Sequence, residues 1–113
     1  MLKKTVLTFG VLFSLLLLAG CPQQRSIAEI MSDPGRYHNK EVAVTGTVTK
    51  SFGALGTGVY QIDDGTGAIW VFSERTGVPS RGTRVASVGL IIPTVTFAGN
   101  SYATVLRERV RKH

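Results

Sequence analysis

The sequence predicts an all-β domain, a small five-stranded barrel with a short N-terminal helix, preceded by a cleaved signal peptide. Three observations carry this. From Val42 onward, β-branched and apolar residues alternate with polar ones at a period of two over several short runs. Clusters of Gly, Asp, Pro and Asn, which favour tight turns, separate those runs. Ahead of them only one brief stretch has helical spacing. Short strands joined by Gly-rich turns pack as a closed or sandwiched β-fold.

The elements follow in order. Ser26-Ile27-Ala28-Glu29 fits a capping box, in which the Ser hydroxyl and the Glu carboxylate satisfy the first free N–H groups of a helix. Ile27, Ile30 and Met31 fall at i, i+3 and i+4, one apolar face of about two turns. Asp33-Pro34-Gly35 ends the helix. Residues 40–50 read as the first strand, with Val42, Val44, Gly46 and Val48 on one face. Residues 52–58 read as a flexible loop and 59–63 as the second strand. The turn Asp64-Gly65-Thr66-Gly67 leads to the third strand, 68–73, making a hairpin. Residues 74–82 connect to a fourth strand over 83–92, and Pro93 marks a break or an edge. A turn near Ala98-Gly99-Asn100 precedes the fifth strand, 101–110.

Val44-x-Gly46-x-Val48, then Tyr60-x-Ile62-x-Asp64-Gly65-x-Gly67-x-Ile69-x-Val71, then Gly82-x-x-Val85-x-x-x-Gly89 together resemble the OB-fold of the tRNA-anticodon-binding and helicase type. The resemblance spans residues 42–89. The lead-in from Ile27-Ala28-Glu29-Ile30 to Lys40 resembles that of secreted bacterial OB-fold proteins. OB-folds often place a helix between strands three and four. Residues 74–82 are too short for a full one, so the N-terminal helix is expected to cover that end of the barrel.

The first 20 residues have the order of a secretory leader. Lys3 and Lys4 are followed by an uncharged stretch with Val11-Leu12-Phe13 and Leu15-Leu16-Leu17-Leu18, then by the small residues Ala19 and Gly20. A membrane span needs about 20 apolar residues, and this run is shorter and stops at Pro22. Leu18-Ala19-Gly20-Cys21 resembles the bacterial lipobox. That resemblance implies cleavage before Cys21, with diacylglycerol on its sulfur and an acyl chain on its new amino terminus. Each buried CH₂ contributes about 0.8 kcal/mol, so two or three chains hold a small domain at a bilayer. The other reading is an uncleaved hydrophobic anchor with an incidental cysteine. Pro22 stands where Asp would mark inner-membrane retention, which implies an outer-membrane anchor facing the periplasm. The expected organisation is a lipoprotein signal peptide at 1–20, a lipidated Cys and short tether at 21–25, and a barrel domain with a basic C-terminal tail at 26–113.

Removing the leader from 113 residues leaves 93, one small domain without an intrachain disulfide, because Cys21 is the only cysteine. This mature chain has 11 basic and 7 acidic residues, net +4, of which +3 lies in residues 107–113. Such an end can contact anionic lipid, phosphate polymers or nucleic acid, or be the solvated end of a strand.

Catalytic residues and metal ligands are not expected: His38 and His113 are far apart and no metal-ligand spacing occurs. Asp63 and Asp64 point to opposite faces of a strand, and Asp64 suits the Asp of an Asp-Gly turn. The loop from Gly53 to Gly58 lacks the Lys-Ser/Thr of a phosphate-binding loop and leads into a strand. It is read as a mobile linker or as a loop flanking the OB binding face.

Alternation puts Val59, Gln61, Trp70 and Phe72 on the outer face of strands two and three, where OB-folds bind oligonucleotides or oligosaccharides. Trp70 and Phe72, with Gln61 and flanked by Thr45 and Thr47, are the candidate stacking site. Lys50 and Arg75 are candidates for anionic groups. The competing reading has the N-terminal helix or the loop around Phe97 covering these rings. The functional expectation is a membrane-anchored, non-enzymatic binding module of the cell envelope, with the Cys21 lipid as its only attached group. Its candidate partners are the membrane, an oligosaccharide, a polyanion or an envelope protein. The alternatives are a single-stranded nucleic-acid-binding domain, disfavoured by location, and an assembly protein.

Overall fold

The structure, a computed structural model, describes residues 23–112. The leader, Cys21 with its expected lipid, Pro22 and His113 lie outside the described residues. The elements are β1 (Gln23–Gln24), α1 (Ile27–Ser32), α2 (Pro34–Tyr37), β2 (Glu41–Ala54), β3 (Thr57–Asp63), β4 (Ala68–Ser73), β5 (Arg84–Phe97) and β6 (Asn100–Lys112). The strands run in the order β2-β3-β4-β6-β5, and pairing of β5 with β2 closes them into a five-stranded barrel. Within the barrel β4 pairs in parallel with β6, through Trp70↔Val105 to Phe72↔Arg107, and outside it β1 pairs in parallel with β2. The expected all-β barrel with a short N-terminal helix is the observed fold.

Four boundaries differ from the sequence reading. The tether is shorter, since β1 pairs with Val42 and Ala43, and the Arg25 N–H donates to the Ala43 carbonyl at 3.0 Å. Residues 52–58 are a hairpin, with only Leu55 and Gly56 between the strands. Both have positive φ, 55° and 82°, the backbone of a two-residue turn whose twist matches its flanking strands. Ala98 and Gly99 repeat the device at φ 53° and 82°, so β5 runs on through Pro93 to Phe97. Pro93 is tolerated because residues 94–97 pair with β6 alone, away from the closed barrel. The basic C-terminal tail is strand β6 as far as Lys112.

Inward-facing Val44, Ile62, Ile69, Val71 and Val85 fill the barrel with at most 1% exposure. Ile27 and Ile30 of α1 join them, while Met31 points outward. Each buried Ile contributes about 1.5–3 kcal/mol. The N-terminal helix therefore plugs the barrel, and no helix stands between β4 and β5. The capping box forms only in part. Ser26 Oγ accepts from the Glu29 N–H at 3.2 Å, but the Glu29 carboxylate takes the Ser26 hydroxyl at 3.1 Å. The first helical N–H groups are met from 37 and 38 residues away: Ile27 N donates to Asp64 Oδ2 at 2.9 Å and Ala28 N to Thr66 Oγ1 at 3.1 Å.

Candidate functional site

Two side-chain rows cross the outer face of β2, β3, β4 and β6. One is Lys50, Gln61, Trp70 and Val105; the other is Phe52, Val59, Phe72 and Arg107. A bulge creates this alignment. Strict alternation from Val42, Val44 and Val48 would send residues 50 and 52 into the barrel. The register shifts between Val48 and Lys50, leaving Thr49 as the extra residue, and Lys50 and Phe52 turn outward beside Gln61 and Val59.

Trp70 is the centre of the resulting cluster. Phe52 stacks with it at 6.3 Å between ring centroids and an interplanar angle of 28°, and Tyr102 meets it at 4.7 Å and 58°. Lys50 Nζ lies 6.0 Å from its centroid, within cation–π reach. Thr49 Oγ1 donates to Gln61 Oε1 at 3.1 Å and fixes that amide beside Trp70 in the same row. Phe52 and Tyr102 come from the two long hairpins, β2–β3 and β5–β6, so both arms border Trp70. Trp70 and Phe72 are half-buried, and Phe52 is 52% exposed. The cover on this face is therefore Tyr102 and Phe52, not the N-terminal helix, whose residues Ile27 and Ala28 lie against Gly67.

The expected site residues divide. Trp70, Phe72, Gln61 and Lys50 share the face. Thr47 is level with Asp63 at its margin, and Thr45 accepts a hydrogen bond from Gln24 Nε2 at 3.1 Å, beneath β1. Arg75 lines another cleft, of about 430 Å³, with Leu90 and the ion pairs Arg107–Glu74 and Arg109–Glu41. Val59, expected on the outer face, stands there but is fully buried between Phe52 and Phe72. Phe52 and Tyr102 were not singled out by sequence. Phe52 fell in a supposed loop, and the approach of Tyr102 depends on the course of β6, where Thr104 adopts φ 51°.

A second polar cluster lies within the barrel. Glu108, its side chain 3% exposed, accepts from Tyr60 Oη, from Ser87 Oγ at 2.7 Å and from Arg111 Nη1 at 3.2 Å. Arg111 also donates to the Thr76 and Gly77 carbonyls at 3.1 and 3.2 Å, and its guanidinium lies 5.5 Å from the Tyr60 ring centre. Burial, then the adjoining Glu108 carboxylate, push the Tyr60 phenol far above its ordinary pKa, so it stays a neutral donor. Strand alternation would put residues 108 and 111 on opposite faces. A bulge opposite Val88 and Gly89 places both inside. The arrangement pins the 74–78 connection to β6 and leaves Arg111 Nε buried without a partner. Among the described residues no group of three or more His, Cys, Asp or Glu is arranged to hold a metal ion.

Neither a family model nor a curated protein matches the chain. Among solved structures 18 chains match it. One is described as OBody AM3L09 bound to hen egg-white lysozyme. It superposes with a TM-score of 0.52 at 20% identity, over 67% of this chain and 82% of that one. The likeness is one of fold. With the closed strand order, it makes this domain an OB-like barrel whose aromatic cluster lies on the outer face of β3 and β4.

Proposed function

We propose that the protein is a membrane-anchored lipoprotein of the cell envelope whose OB-like domain is a non-enzymatic binding module for an oligosaccharide, received on Trp70. The observation that supports a sugar is the ring cluster Phe52–Trp70–Tyr102, edged by the amide of Gln61 and the ammonium group of Lys50. A sugar ring offers a C–H face to an aromatic plane and hydroxyls to an amide and an ammonium group. Single-stranded nucleic acid needs a run of cations for its phosphates. Arg107, Arg109 and Arg111 are each held by a carboxylate instead. The anchor rests on the lipobox resemblance of Leu18 to Cys21, and an envelope address brings a domain among glycans rather than nucleic acids.

A protein partner is the second reading. Leu55, at the β2–β3 tip beside Phe52, is wholly exposed, and the OB-like neighbour is one bound to a protein, lysozyme. Trp70 is the only tryptophan, so its fluorescence reports on the face directly. The chain from Pro22 onward, titrated with envelope glycan fragments, is expected to show saturable quenching that Lys50→Ala weakens, and calorimetric titration is expected to show that Trp70→Ala loses most of the binding. The affinity carried by Trp70 should be about tenfold or more, the scale of a stacking contact. Quenching by oligonucleotides with steep salt dependence would replace the sugar with a polyanion. No response to either, with cross-linking to an envelope protein lost in Leu55→Asn, would establish the second reading. In cells, Cys21→Ser is expected to move the protein from the membrane to the soluble fraction.

A further inference from the structure

A second concavity, distinct from the aromatic face, lies where the chain enters the barrel. It holds about 300 Å³ and is lined by Arg25, Arg36, Tyr37, Lys40, Glu41 and Val42. Three of these carry positive charge and one negative, and the acid is engaged elsewhere: both Glu41 oxygens accept from the Arg109 guanidinium, at 2.9 and 3.0 Å. Arg25 reaches Glu29 across a loose, exposed 3.7 Å. Arg36 and Lys40 join no ion pair among the described residues.

The cations are set there by three different backbone segments. The Arg25 N–H is tied to the Ala43 carbonyl beside β1. Arg36 belongs to α2. Lys40 follows the left-handed Asn39 (φ 61°), and its N–H donates to the Tyr37 carbonyl at 3.0 Å while its own carbonyl accepts from Ile91 at 3.4 Å. Gathering like charges in one hollow is unfavourable unless an anion relieves it. Guanidinium and ammonium groups together suit phosphate oxygens, the first through paired donors and the second as a point charge.

Position selects the source of that phosphate. Arg25 is four residues beyond Cys21, a reach of at most about 14 Å. Resting on the lipid-anchor reading above, this keeps the hollow at the depth of the headgroups. We propose that Arg25, Arg36 and Lys40 form a site for the phosphodiester headgroup of an anionic bilayer lipid, fixing how the anchored barrel sits on its membrane. Near an anionic surface each basic residue raises partitioning about fivefold.

The test uses the unlipidated chain from Pro22 onward, which retains the whole described fold and makes the outcome independent of Cys21 acylation. Sedimentation with phosphatidylglycerol-containing vesicles at low salt should bring the chain down, and neutral phosphatidylcholine vesicles should not. Arg36→Ala/Lys40→Ala is expected to lower that partitioning about 25-fold. Arg81→Ala/Arg84→Ala, an equal charge loss at exposed positions outside the hollow, should lower it far less. All four residues are exposed, and unchanged Trp70 emission would show that the variants fold. Equal losses in the two double variants, or no binding to anionic vesicles, would overturn the site. Binding of glycerol phosphate or inorganic phosphate at millimolar concentration as tight as binding to vesicles would assign the hollow to a soluble phosphate and overturn its lipid role.

Discussion

One carboxylate oxygen of Asp64 accepts from Thr66 Oγ1, Thr66 N and Gly67 N at 2.6–3.2 Å, while the other accepts from Ile27 N at 2.9 Å. The β3–β4 turn and the start of α1 thus share one residue. Partial burial works against the charge, but the hydrogen bonds from Thr66, Ile27 and Gly67 outweigh it and hold the carboxyl below its ordinary range. A carboxyl with a lowered folded-state pKa contributes stability that is complete above the unfolded value, near about 3.9. That contribution is lost as pH falls through the folded value. Asp64→Ala is expected to cost about 1–2 kcal/mol at neutral pH, the scale of a lost helix cap. Denaturant melts of wild type and Asp64→Asn between pH 7 and 2 should converge at the acid end, because only the wild type loses this charge. Parallel curves would mean that the ionised form adds nothing. The turn role of Asp64 was legible from the Asp-Gly pair. Its hold on the helix was not, because 37 residues separate it from Ile27.

At the scale of elements, two motif glycines mark close approaches between strands. A Cβ at Gly46 would stand 2.4 Å from the Asp63 carbonyl oxygen, and one at Gly89 would stand 2.0 Å from that of Arg107. Both obstacles are backbone, which cannot rotate aside. Gly89→Ala should therefore destabilise by about 1–3 kcal/mol or more, as overpacking does. Gly35→Ala, in α2 with nothing within 4 Å, should be neutral or stabilising by up to about 1 kcal/mol. Matching chemical denaturation curves for the two variants would remove this explanation of the motif. Strand number, order along the chain and the inward faces of β3 and β4 were legible from period-two alternation, because each strand there is regular. The bulges at Thr49 and Arg109 were not, since each breaks the alternation within a run that still looks strand-like. They are also what turns Lys50 and Phe52 towards Trp70 and brings Glu108 and Arg111 into the barrel. Alternation therefore placed Trp70 on the outer face of β3 and β4, while half of the side chains around the ring depended on register.

For the molecule as a whole, the decisive element is β6, whose last third reads in isolation as a charged tail. It pairs with β5 from Phe97↔Asn100 to Ala86↔Lys112 and with β4 through Trp70, Val71 and Phe72, so the barrel closes through it. Its arginines are committed to the fold: Arg107 to Glu74, Arg109 to Glu41 and Arg111 to Glu108. The first two pairs are exposed and contribute little to stability. The third is buried, and removing one of its partners would cost about 3–5 kcal/mol by leaving an uncompensated charge. Ending the chain after Leu106 removes Glu108 and Arg111 together and strips β5 of its partner from Ala86 to Leu90. A detachable polyanion-binding tail would leave a folded barrel with weaker ligand affinity. The structure leads to the opposite expectation: the truncated chain should lose its β-sheet circular dichroism and the dispersion of its amide NMR signals, with Trp70 emission shifted to that of an indole in water. A folded, cooperatively melting truncate would show that closure by residues 107–112 is dispensable and would return their positive charge to the pool available for binding.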